Sequence, residues 1–459
     1  MTVLVWFRRD LRLGDNPALH SALQYAEPIV PVYIHDTEEG FAWKPGAASR
    51  WYLEQSLREL DKALSAHGHK LILTTGTPEK SLLELAQRTG AKRVLWNRIY
   101  EPEWEQRDKI IVNAMRNSEI ESEAHHEHSL FPPEKVRNGS GTAYREFSPF
   151  WKKIEPRLLH SGPVPGSRRT SLKSGVSAPR STRELSLAPS EIGLTANQPW
   201  HKKLNQFWTA GEAAALNTLS EVLRRLEQYP EQRDLPAVNG TSKLSAALHF
   251  GEISPWRIIE CLRPAWCGDW GTSAAQGAAS LARQLGWREF AIHLLNAFPQ
   301  STDHSIRQEF DASGIWTDDA DLLQAWQSGR TGFTLVDAGM HQLWETGWMH
   351  NRVRMVAASL LTKHLGQHWI HGARWFWDTL VDADLANNTL GWQWVAGSGC
   401  DAAPYYRVFN PERQAQRFDS RGEYAHRWLG SLESPYPEII DLAQTRDQAL
   451  SRYRHMRGG

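Results

Sequence analysis

The first part of the chain alternates short apolar runs with longer segments of helical spacing. Apolar runs at residues 2–7, 29–34, 70–73 and 93–96 predict four buried β-strands. Residues 49–65 carry apolar side chains three and four positions apart, which predicts an amphipathic helix. Because strands that alternate with helices pair in parallel and carry the helices on their faces, we predict a Rossmann-like α/β domain with a parallel sheet.

The pattern changes in the second half of the chain, where helical spacing dominates. Residues 211–227, 271–297, 334–364 and 438–453 predict helices, without a strong strand pattern between them. A stretch rich in Ser, Pro, Gly and Thr at residues 161–198 is typical of a linker. We therefore expect three parts, namely an α/β domain over residues 1–130, an interdomain linker over 131–199 and a larger all-α domain over 200–459.

Composition limits the classes of function. The 459 residues include 52 Lys and Arg and 52 Asp and Glu, so any nucleic-acid contact must use a local basic patch. Three cysteines without a CxxC spacing argue against a zinc site or a disulfide framework, and we expect no metal. The sequence has neither an N-terminal signal nor an apolar run of about 18 residues, so we expect a cytoplasmic protein without a membrane span.

The 22 tryptophans allow two interpretations. Most Trp side chains fill protein cores, where the indole N–H needs a hydrogen-bond partner. Indole is also among the most easily oxidised side chains, so a few of these residues could form an electron relay. Their number does not separate the two interpretations, but their positions do.

Two segments carry residues suited to binding a ligand. At residues 240–245, Gly, Thr, Ser and Lys precede an apolar helix; such a start can bind a phosphate, although most only cap the helix. Further on, Asn351 and Met355 lie four residues apart on one helical face, with Arg354 on the adjoining stripe. An amide, a thioether and a cation together suit the wall of a cavity for an aromatic ligand.

A third segment places Asp382 and Asp384 before Asn387 and Asn388. Two aspartates could bind a metal, but no companion ligands follow them. Alternatively, they cap a helix and pair with Arg354. The two asparagines suggest a polar loop against a ligand.

These segments, together with other motifs in the same order, resemble the DNA photolyase/cryptochrome family over nearly the whole chain. The other matching motifs lie at residues 6–12, 287–290, 332–338 and 401–411. The pattern is most similar to cyclobutane pyrimidine dimer photolyases, and residues 43–51 resemble a bacterial branch near the plant cryptochromes. The resemblance implies an antenna-binding α/β domain and an FAD-binding catalytic domain.

The resemblance also implies which residues contact FAD. The positions matching those around the diphosphate and adjoining groups are Tyr229, Thr241, Ser242, Lys243, Leu244 and Ser245. Arg354 and Asp382 match an ion pair beside the isoalloxazine ring, and Asp384 lies in the same turn. Asn388 matches the residue that faces flavin N5, where Asn is typical of photolyases.

The implied activity is light-driven repair of UV-damaged DNA, in which excited FADH⁻ gives an electron to a pyrimidine dimer flipped out of the helix. Photolyases are themselves a known example of base flipping. The matching lesion-contacting residues are Gln284, Trp287, Asn351, Met355 and Trp394, and Arg233 and Gln414 match DNA-contacting positions. Trp316, Trp369 and Trp392 match the triad that passes electrons from the surface to the flavin.

One position departs from the cyclobutane-specific pattern, because Gln284 stands where those relatives usually carry Glu. Gln can donate a hydrogen bond but cannot give up a proton, so we expect slower cyclobutane repair than in a Gln284→Glu variant. Gln here resembles the (6-4) photolyases, yet those carry two His where this chain has Asn351 and Met355. Broadened activity toward (6-4) lesions therefore stays open.

Two questions stay open on the resemblance. For the antenna chromophore, methenyltetrahydrofolate is favoured, with a deazaflavin as the alternative. For the function, the alternative is a blue-light photoreceptor of the cryptochrome type without repair activity. Asn388 and the absence of a long extension after Leu429 favour repair, and we expect a monomer.

Overall fold

The N-terminal part is built on a five-stranded parallel sheet. The computed structural model describes residues 2–37, 42–160, 186–194, 199–269, 271–312, 314–401 and 406–458. The strands are β1 (Thr2–Phe7), β2 (Ile29–His35), β3 (Ile72–Thr75), β4 (Ala91–Asn97) and β5 (Glu121–His125). They lie in the order β3-β2-β1-β4-β5, and all neighbours are parallel. The predicted α/β class is therefore confirmed.

The fifth strand was not predicted, because β5 has the sequence Glu-Ser-Glu-Ala-His and its side chains are exposed or half-buried. A strand at the edge of a sheet needs no apolar run to pair through its backbone. The third predicted strand begins two residues later than expected, at Ile72. The other three predicted strands are confirmed, with small differences at their ends.

Four helices cover the sheet, and their apolar stripes face it. They are α1 (Pro17–Gln24), α2 (Ala47–Ala66), α3 (Pro78–Thr89) and α4 (Pro102–Asn117). The predicted stripe of α2 is confirmed, since Leu53, Leu57, Leu60 and Leu64 are all buried. The two faces of the sheet contribute to separate apolar clusters, as expected of a sheet covered on both sides.

Most of the regular structure in the described residues after β5 consists of α-helices. They are α5 (Phe147–His160), α6 (Glu212–Arg224), α7 (Tyr229–Gln232), α8 (Ser245–His249), α9 (Pro255–Trp266), α10 (Ser273–Ala297), α11 (Glu309–Ala312), α12 (Ala320–Gln327), α13 (Thr334–Thr346), α14 (Asn351–Ser359), α15 (Trp369–Thr379), α16 (Leu385–Ala396), α17 (Pro411–Phe418), α18 (Glu423–Leu429) and α19 (Leu442–Met456). None of the helices in these residues has the length and apolar character needed to cross a membrane. The predicted helical second part is confirmed.

The single helix predicted over residues 334–364 is wrong, because the chain breaks after α13. Gly347 adopts a left-handed conformation with φ of 66° and closes α13, a conformation that glycine adopts without steric cost. Helix α14 then starts at Asn351, where the His350 side chain accepts a hydrogen bond from the Arg352 N–H. A π-helical turn at Leu360–His364 follows α14.

The segment predicted as a linker contains folded structure in its described residues. Helix α5 lies within it and packs on α10. Ile192 and Leu194 are buried in the core cluster of the α/β part, and the Leu187 N–H donates to Leu73 O at 2.9 Å. Residues 161–185 and 195–198, where the linker composition is strongest, lie outside the described residues.

One buried carboxylate ties the α/β part to the helical part. Glu252 accepts hydrogen bonds from Tyr52 Oη at 2.9 Å and Ser56 Oγ at 2.6 Å, both on α2. It also accepts from the Gly211 N–H at 2.6 Å, just before α6. Because a buried carboxylate requires several donors, this contact positions α2 against the helical part.

Candidate functional site

A cavity of about 670 Å³ lies within the helical part and gathers nearly all of the predicted site residues. The predicted residues on its surface are Tyr229, Arg233, Thr241, Ser242, Lys243, Leu244, Ser245, Gln284, Trp287, Asn351, Arg354, Met355, Asp382, Asp384, Asn388, Trp392 and Trp394. Trp316, Trp369 and Gln414 lie outside this lining. Tyr229 and Trp394, which are 165 positions apart in the sequence, therefore meet at one site.

We call the buried side of the cavity the inner wall, formed by His249, Arg288, Arg354, Asp382 and Asp384. Arg354 Nη2 lies 3.0 Å from both Oδ1 and Oδ2 of Asp382, so the predicted pairing is confirmed. Arg354 Nε also donates to Met349 O at 2.7 Å, which fixes the guanidinium plane. The Asp382 side chain is only 3% exposed, so this ion pair is largely removed from water.

Asp384 begins helix α16 and stays ionised inside the inner wall. Its Oδ1 accepts from the Asn387 N–H at 2.9 Å, which confirms the predicted helix cap. His249 Nδ1 lies 3.6 Å from the other carboxylate oxygen. Burial disfavours the charged form, but His249 and the Arg288 guanidinium outweigh burial and hold the pKa of Asp384 well below its usual range.

Two buried nitrogen atoms on the inner wall have no hydrogen-bond partner among the described residues. They are Arg288 Nη2, which is a donor, and His249 Nδ1, which donates or accepts according to the tautomer and lies 3.6 Å from Asp384, beyond hydrogen-bond distance. Because an unpaired buried polar atom is costly, such atoms indicate a bound polar group that hydrogen-bonds to them. The acceptor-rich ribose, diphosphate and flavin ring of FAD fit this wall, and Arg354 with Asp382 offers a donor and an acceptor together.

The loop over residues 240–245 lies beside the inner wall. Gly240 packs against the backbone of Gln232, where a Cβ atom would lie 2.3 Å from Gln232 O. Lys243 has a φ of 51°, the left-handed conformation that non-glycine residues seldom adopt. Helix α8, which follows, is a single short turn rather than the longer apolar helix that the sequence suggests. The loop residues that line the cavity therefore include one strained backbone position, at Lys243.

We call the more exposed side of the cavity the outer wall, formed by Gln284, Trp287, Asn351, Met355 and Trp394. Asn351 Nδ2 lies 3.9 Å from Met355 Sδ, which confirms that both face the same side of α14. Gln284 Oε1 accepts from Arg233 Nη2 at 2.9 Å, and its Nε2 donates to Ser280 O at 3.3 Å. The outer wall is thus aromatic and amide-bearing, with only a few polar contacts.

Asn388 lies between the walls, and its side-chain orientation is set by the backbone. Its Nδ2 donates to Ala373 O at 3.0 Å. The amide oxygen and the second N–H hydrogen then point elsewhere, so the side chain can still accept or donate. The predicted role opposite a flavin nitrogen stays a prediction.

The three tryptophans of the predicted triad differ in exposure. Trp392 lines the cavity, Trp369 is 0% exposed and Trp316 is half-buried. Helices α15 and α16 pack closely because Gly372 faces Trp392, where a Cβ atom would lie 2.0 Å from the ring. This order from cavity to surface suits an electron path, but its operation stays a prediction.

The sequence interpretation missed His368, which lies between the two outer tryptophans of the triad. Its ring centroid is 5.0 Å from that of Trp316 and 5.6 Å from that of Trp369. It also missed His249 and Arg288 as site residues, although Arg288 lies inside the quoted 287–290 motif. No spacing signal marks the two histidines, because His249 meets Asp384 and His368 meets Trp316 across long stretches of sequence.

Gln414 lies on α17 and is not among the residues that line the cavity. Its predicted contact with DNA therefore stays a prediction. Its neighbours Arg413 and Arg417 on the same helix are exposed, which leaves positive charge on this surface.

Comparison with known proteins agrees with this geometry. Residues 3–167 match the family described as DNA photolyase, and residues 280–452 match the family described as FAD binding domain of DNA photolyase. A deoxyribodipyrimidine photo-lyase from Agrobacterium fabrum is 40% identical over 98% of this chain and 97% of its own length. Cryptochrome-2 from Arabidopsis thaliana is 35% identical over 94% of this chain and 70% of its own length.

A solved structure is similarly close. The crystal structure of a bacterial class III photolyase from Agrobacterium tumefaciens is 36% identical, with a TM-score of 0.90 over 100% of this chain and 98% of that one. The predicted family and two-part fold are therefore confirmed. Both the sequence relative and the solved structure from Agrobacterium are photolyases, which supports this class of enzyme. The match to the FAD binding domain includes four of the five inner-wall residues, namely Arg288, Arg354, Asp382 and Asp384. This chain belongs to the DNA photolyase/cryptochrome family.

Proposed function

We propose that the chain is a light-driven deoxyribodipyrimidine photolyase that uses FAD to split pyrimidine dimers in UV-damaged DNA. One observation carries the proposal, namely that a buried ionic wall and an open aromatic wall share one cavity. The first suits a permanently held cofactor, and the second suits a flat ligand that enters and leaves. Photolyase relatives that align over nearly the whole chain support the same assignment.

The residues of the inner wall bind and orient the flavin. Arg354 offers N–H donors, Asp382 fixes that guanidinium, and Asn388 supplies a neutral amide. When bound in its reduced form, the flavin supplies the photoexcited electron that cleaves the dimer and then recovers it. Burial of the surrounding charges excludes water and strengthens the local electrostatics.

The outer wall receives the lesion. Trp287 and Trp394 present aromatic surfaces on which a flipped base can stack, as aromatic side chains do with unpaired bases. Met355 adds an apolar contact, while Asn351 and Gln284 can hydrogen-bond the base edges. Arg233 donates a hydrogen bond to the Gln284 oxygen, and we propose that it also contacts the DNA backbone.

Cyclobutane dimers are the lesion that this wall favours. Asn351 and Met355 match the cyclobutane-type pocket, whereas Gln284 matches the (6-4) type. A pair of His side chains, which would serve as proton donors to a (6-4) lesion, is absent from these two positions. We therefore propose cyclobutane repair as the main activity and (6-4) repair as a secondary one at most.

Trp392, Trp369 and Trp316 are proposed to return electrons to an oxidised flavin from the surface. For the α/β part we propose a folate antenna, methenyltetrahydrofolate, in preference to a deazaflavin. Heating the purified protein and separating the released chromophores by chromatography identifies the antenna. Release of a deazaflavin, or of FAD alone, contradicts this part of the proposal.

A repair assay tests the main proposal. Purified protein with reduced flavin is mixed with oligonucleotides carrying one cyclobutane or one (6-4) lesion, in blue light and in darkness. We expect light-dependent loss of the cyclobutane lesion, and a Trp287→Ala variant that keeps its flavin should be much less active. Flavin photoreduction without repair of either lesion would instead indicate the photoreceptor function, which the similarity to Cryptochrome-2 favours.

A further inference from the structure

A column of four aromatic rings runs behind the outer wall and ends on Trp287. Trp266 and Trp151 have ring centroids 6.2 Å apart and an interplanar angle of 10°. Trp151 and Phe147 follow at 6.1 Å and 15°. Phe147 and Trp287 stack at 3.7 Å and 7°, which is the closest ring contact of the column.

Phe147 covers the side of Trp287 that faces away from the cavity. Trp287 lines the cavity and is half-buried, whereas Phe147 does not line it and is only 1% exposed. Trp287 therefore has one ring face against protein and leaves the other toward the ligand space. Because a ring held on one face by a parallel partner loses little orientational freedom on binding, such a contact preorganises a stacking surface.

A glycine on the adjacent helix α10 leaves space for this column of rings. Gly286 on α10 faces Trp151, and a Cβ atom there would lie 2.3 Å from the Trp151 ring. Phe147 and Trp151 both come from α5, within the segment that composition assigns to the interdomain linker. Helix α5 thus contacts the outer wall through Trp287.

We propose that Phe147 is a positioning residue that holds the Trp287 ring parallel to an incoming flipped base and thereby sets the affinity for damaged DNA. The inference rests on the proposed repair function. Because Phe147 does not line the cavity, it acts on binding of the lesion through Trp287 rather than on the electron transfer that follows.

The test compares Phe147→Leu with Phe150→Leu in the flavin-loaded protein. Both residues lie on α5 and are buried, but Phe150 packs on Phe290 and His293 rather than on Trp287. We expect Phe147→Leu to raise the Kd for lesion-bearing DNA roughly three- to tenfold, in line with the loss of one aromatic stack. Its Kd for undamaged DNA, its flavin content and its repair yield at saturating DNA should match those of Phe150→Leu.

A double-variant cycle makes the coupling specific. Adding Phe147→Leu to Trp287→Leu should change lesion affinity no further, because the ring to be positioned is already gone. Equal lesion affinities in Phe147→Leu and Phe150→Leu, or additive losses in the cycle, overturn the positioning role. If the unsubstituted protein itself neither prefers nor repairs lesion-bearing DNA, the proposed function fails instead.

Discussion

The inner and outer walls of the cavity hold their side chains by different physical means. On the inner wall, Arg354 and Asp382 form an ion pair, and Asp384 caps helix α16 beside His249 and the Arg288 guanidinium. On the outer wall, Trp287 is held mainly by stacking, and Asn351 is exposed. The ion pair of the inner wall is costly to break and holds one specific ligand, whereas the aromatic surface of the outer wall lets a ligand bind and leave. The difference suits a resident cofactor on one side and a transient ligand on the other.

Removing the cation of the inner wall should give the largest effect. In Arg354→Ala, the Asp382 carboxylate is left unpaired with a 3% exposed side chain, so we expect a loss of about 3 kcal/mol in the free energy of unfolding. Flavin affinity should fall roughly a hundredfold. The ratio of flavin to protein absorbance and a denaturant titration measure the two effects.

Arg352→Ala is the matched control for that variant. Arg352 pairs with Asp234 at 2.9 Å, but Asp234 is 39% exposed, so losing the pair should cost about 0–1 kcal/mol. Flavin content should stay unchanged. Similar losses of unfolding free energy and flavin in the two variants would show that burial does not distinguish the Arg354–Asp382 pair from the more exposed Arg352–Asp234 pair.

A substitution outside both walls should separate flavin binding from electron supply. Trp369 is fully buried in the same core cluster as Trp392, and Phe cannot be oxidised as readily as Trp. We expect Trp369→Phe to keep its flavin and its affinity for lesions but to lose nearly all photoreduction in the presence of an external reductant. Trp326→Phe is the control. Trp326 is equally buried and its ring centroid lies 6.0 Å from that of Trp392, but it does not belong to the predicted triad. Normal photoreduction in Trp369→Phe rules out the path through Trp369.

How much could be read from the sequence depended on the range of each interaction. The repeating leucines of α2 and the apolar runs of the sheet are local signals, and both were predicted. Gly347 is also local, yet continuous helical spacing on both sides of it concealed the break. The approach of His249 to Asp384 joins positions 135 apart in sequence, so neither spacing nor propensity could reveal it.

Helix α5 illustrates a second limit. Its segment was assigned to a linker, because Ser, Pro and Gly dominate the residues that follow it. Its apolar residues Phe147, Phe150, Trp151 and Ile154 nevertheless recur at helical spacing and are buried against the helical part. The family motifs located Trp287, but the residue stacked behind it lies outside those motifs. Composition averaged over a long window thus hid a short element that the site requires.

Acid should weaken the outer wall through the start of α14. His350 Nδ1 accepts from the Arg352 N–H at 3.1 Å, and it can do so only while unprotonated. Burial lowers the pKa of His350 to about 4, below the ordinary value of about 6.5 in the unfolded chain. The stabilisation is therefore complete above pH 6.5 and is lost as pH falls toward 4, by about 1.4 kcal/mol per pH unit.

Unfolding titrations of the parent and of His350→Asn between pH 7 and pH 4 check this expectation. Asn keeps the cap without titrating, so the variant should lose less stability than the parent over this range. Other buried histidines, including His293 and His128, shift in the same direction, and only the difference between the two proteins is informative. Parallel pH curves would assign the acid sensitivity to those other groups.

The smallest effect is expected at Gln284 on the outer wall. In Gln284→Glu, a carboxyl group that shares a proton with the dimer carbonyls replaces a neutral amide, which strengthens the contact by about 1 kcal/mol and raises repair about fivefold. Arg233, which lies 2.9 Å from the present amide oxygen, favours the ionised carboxylate and opposes proton sharing. The gain should therefore be larger at pH 6 than at pH 8, as measured by repair quantum yields at saturating DNA.

Gln284→Met, which has neither a proton nor an amide to offer, is the control and should repair more slowly than the parent. A repair yield in Gln284→Glu equal to or below that of the parent at both pH values contradicts the assignment of this position to the lesion contact.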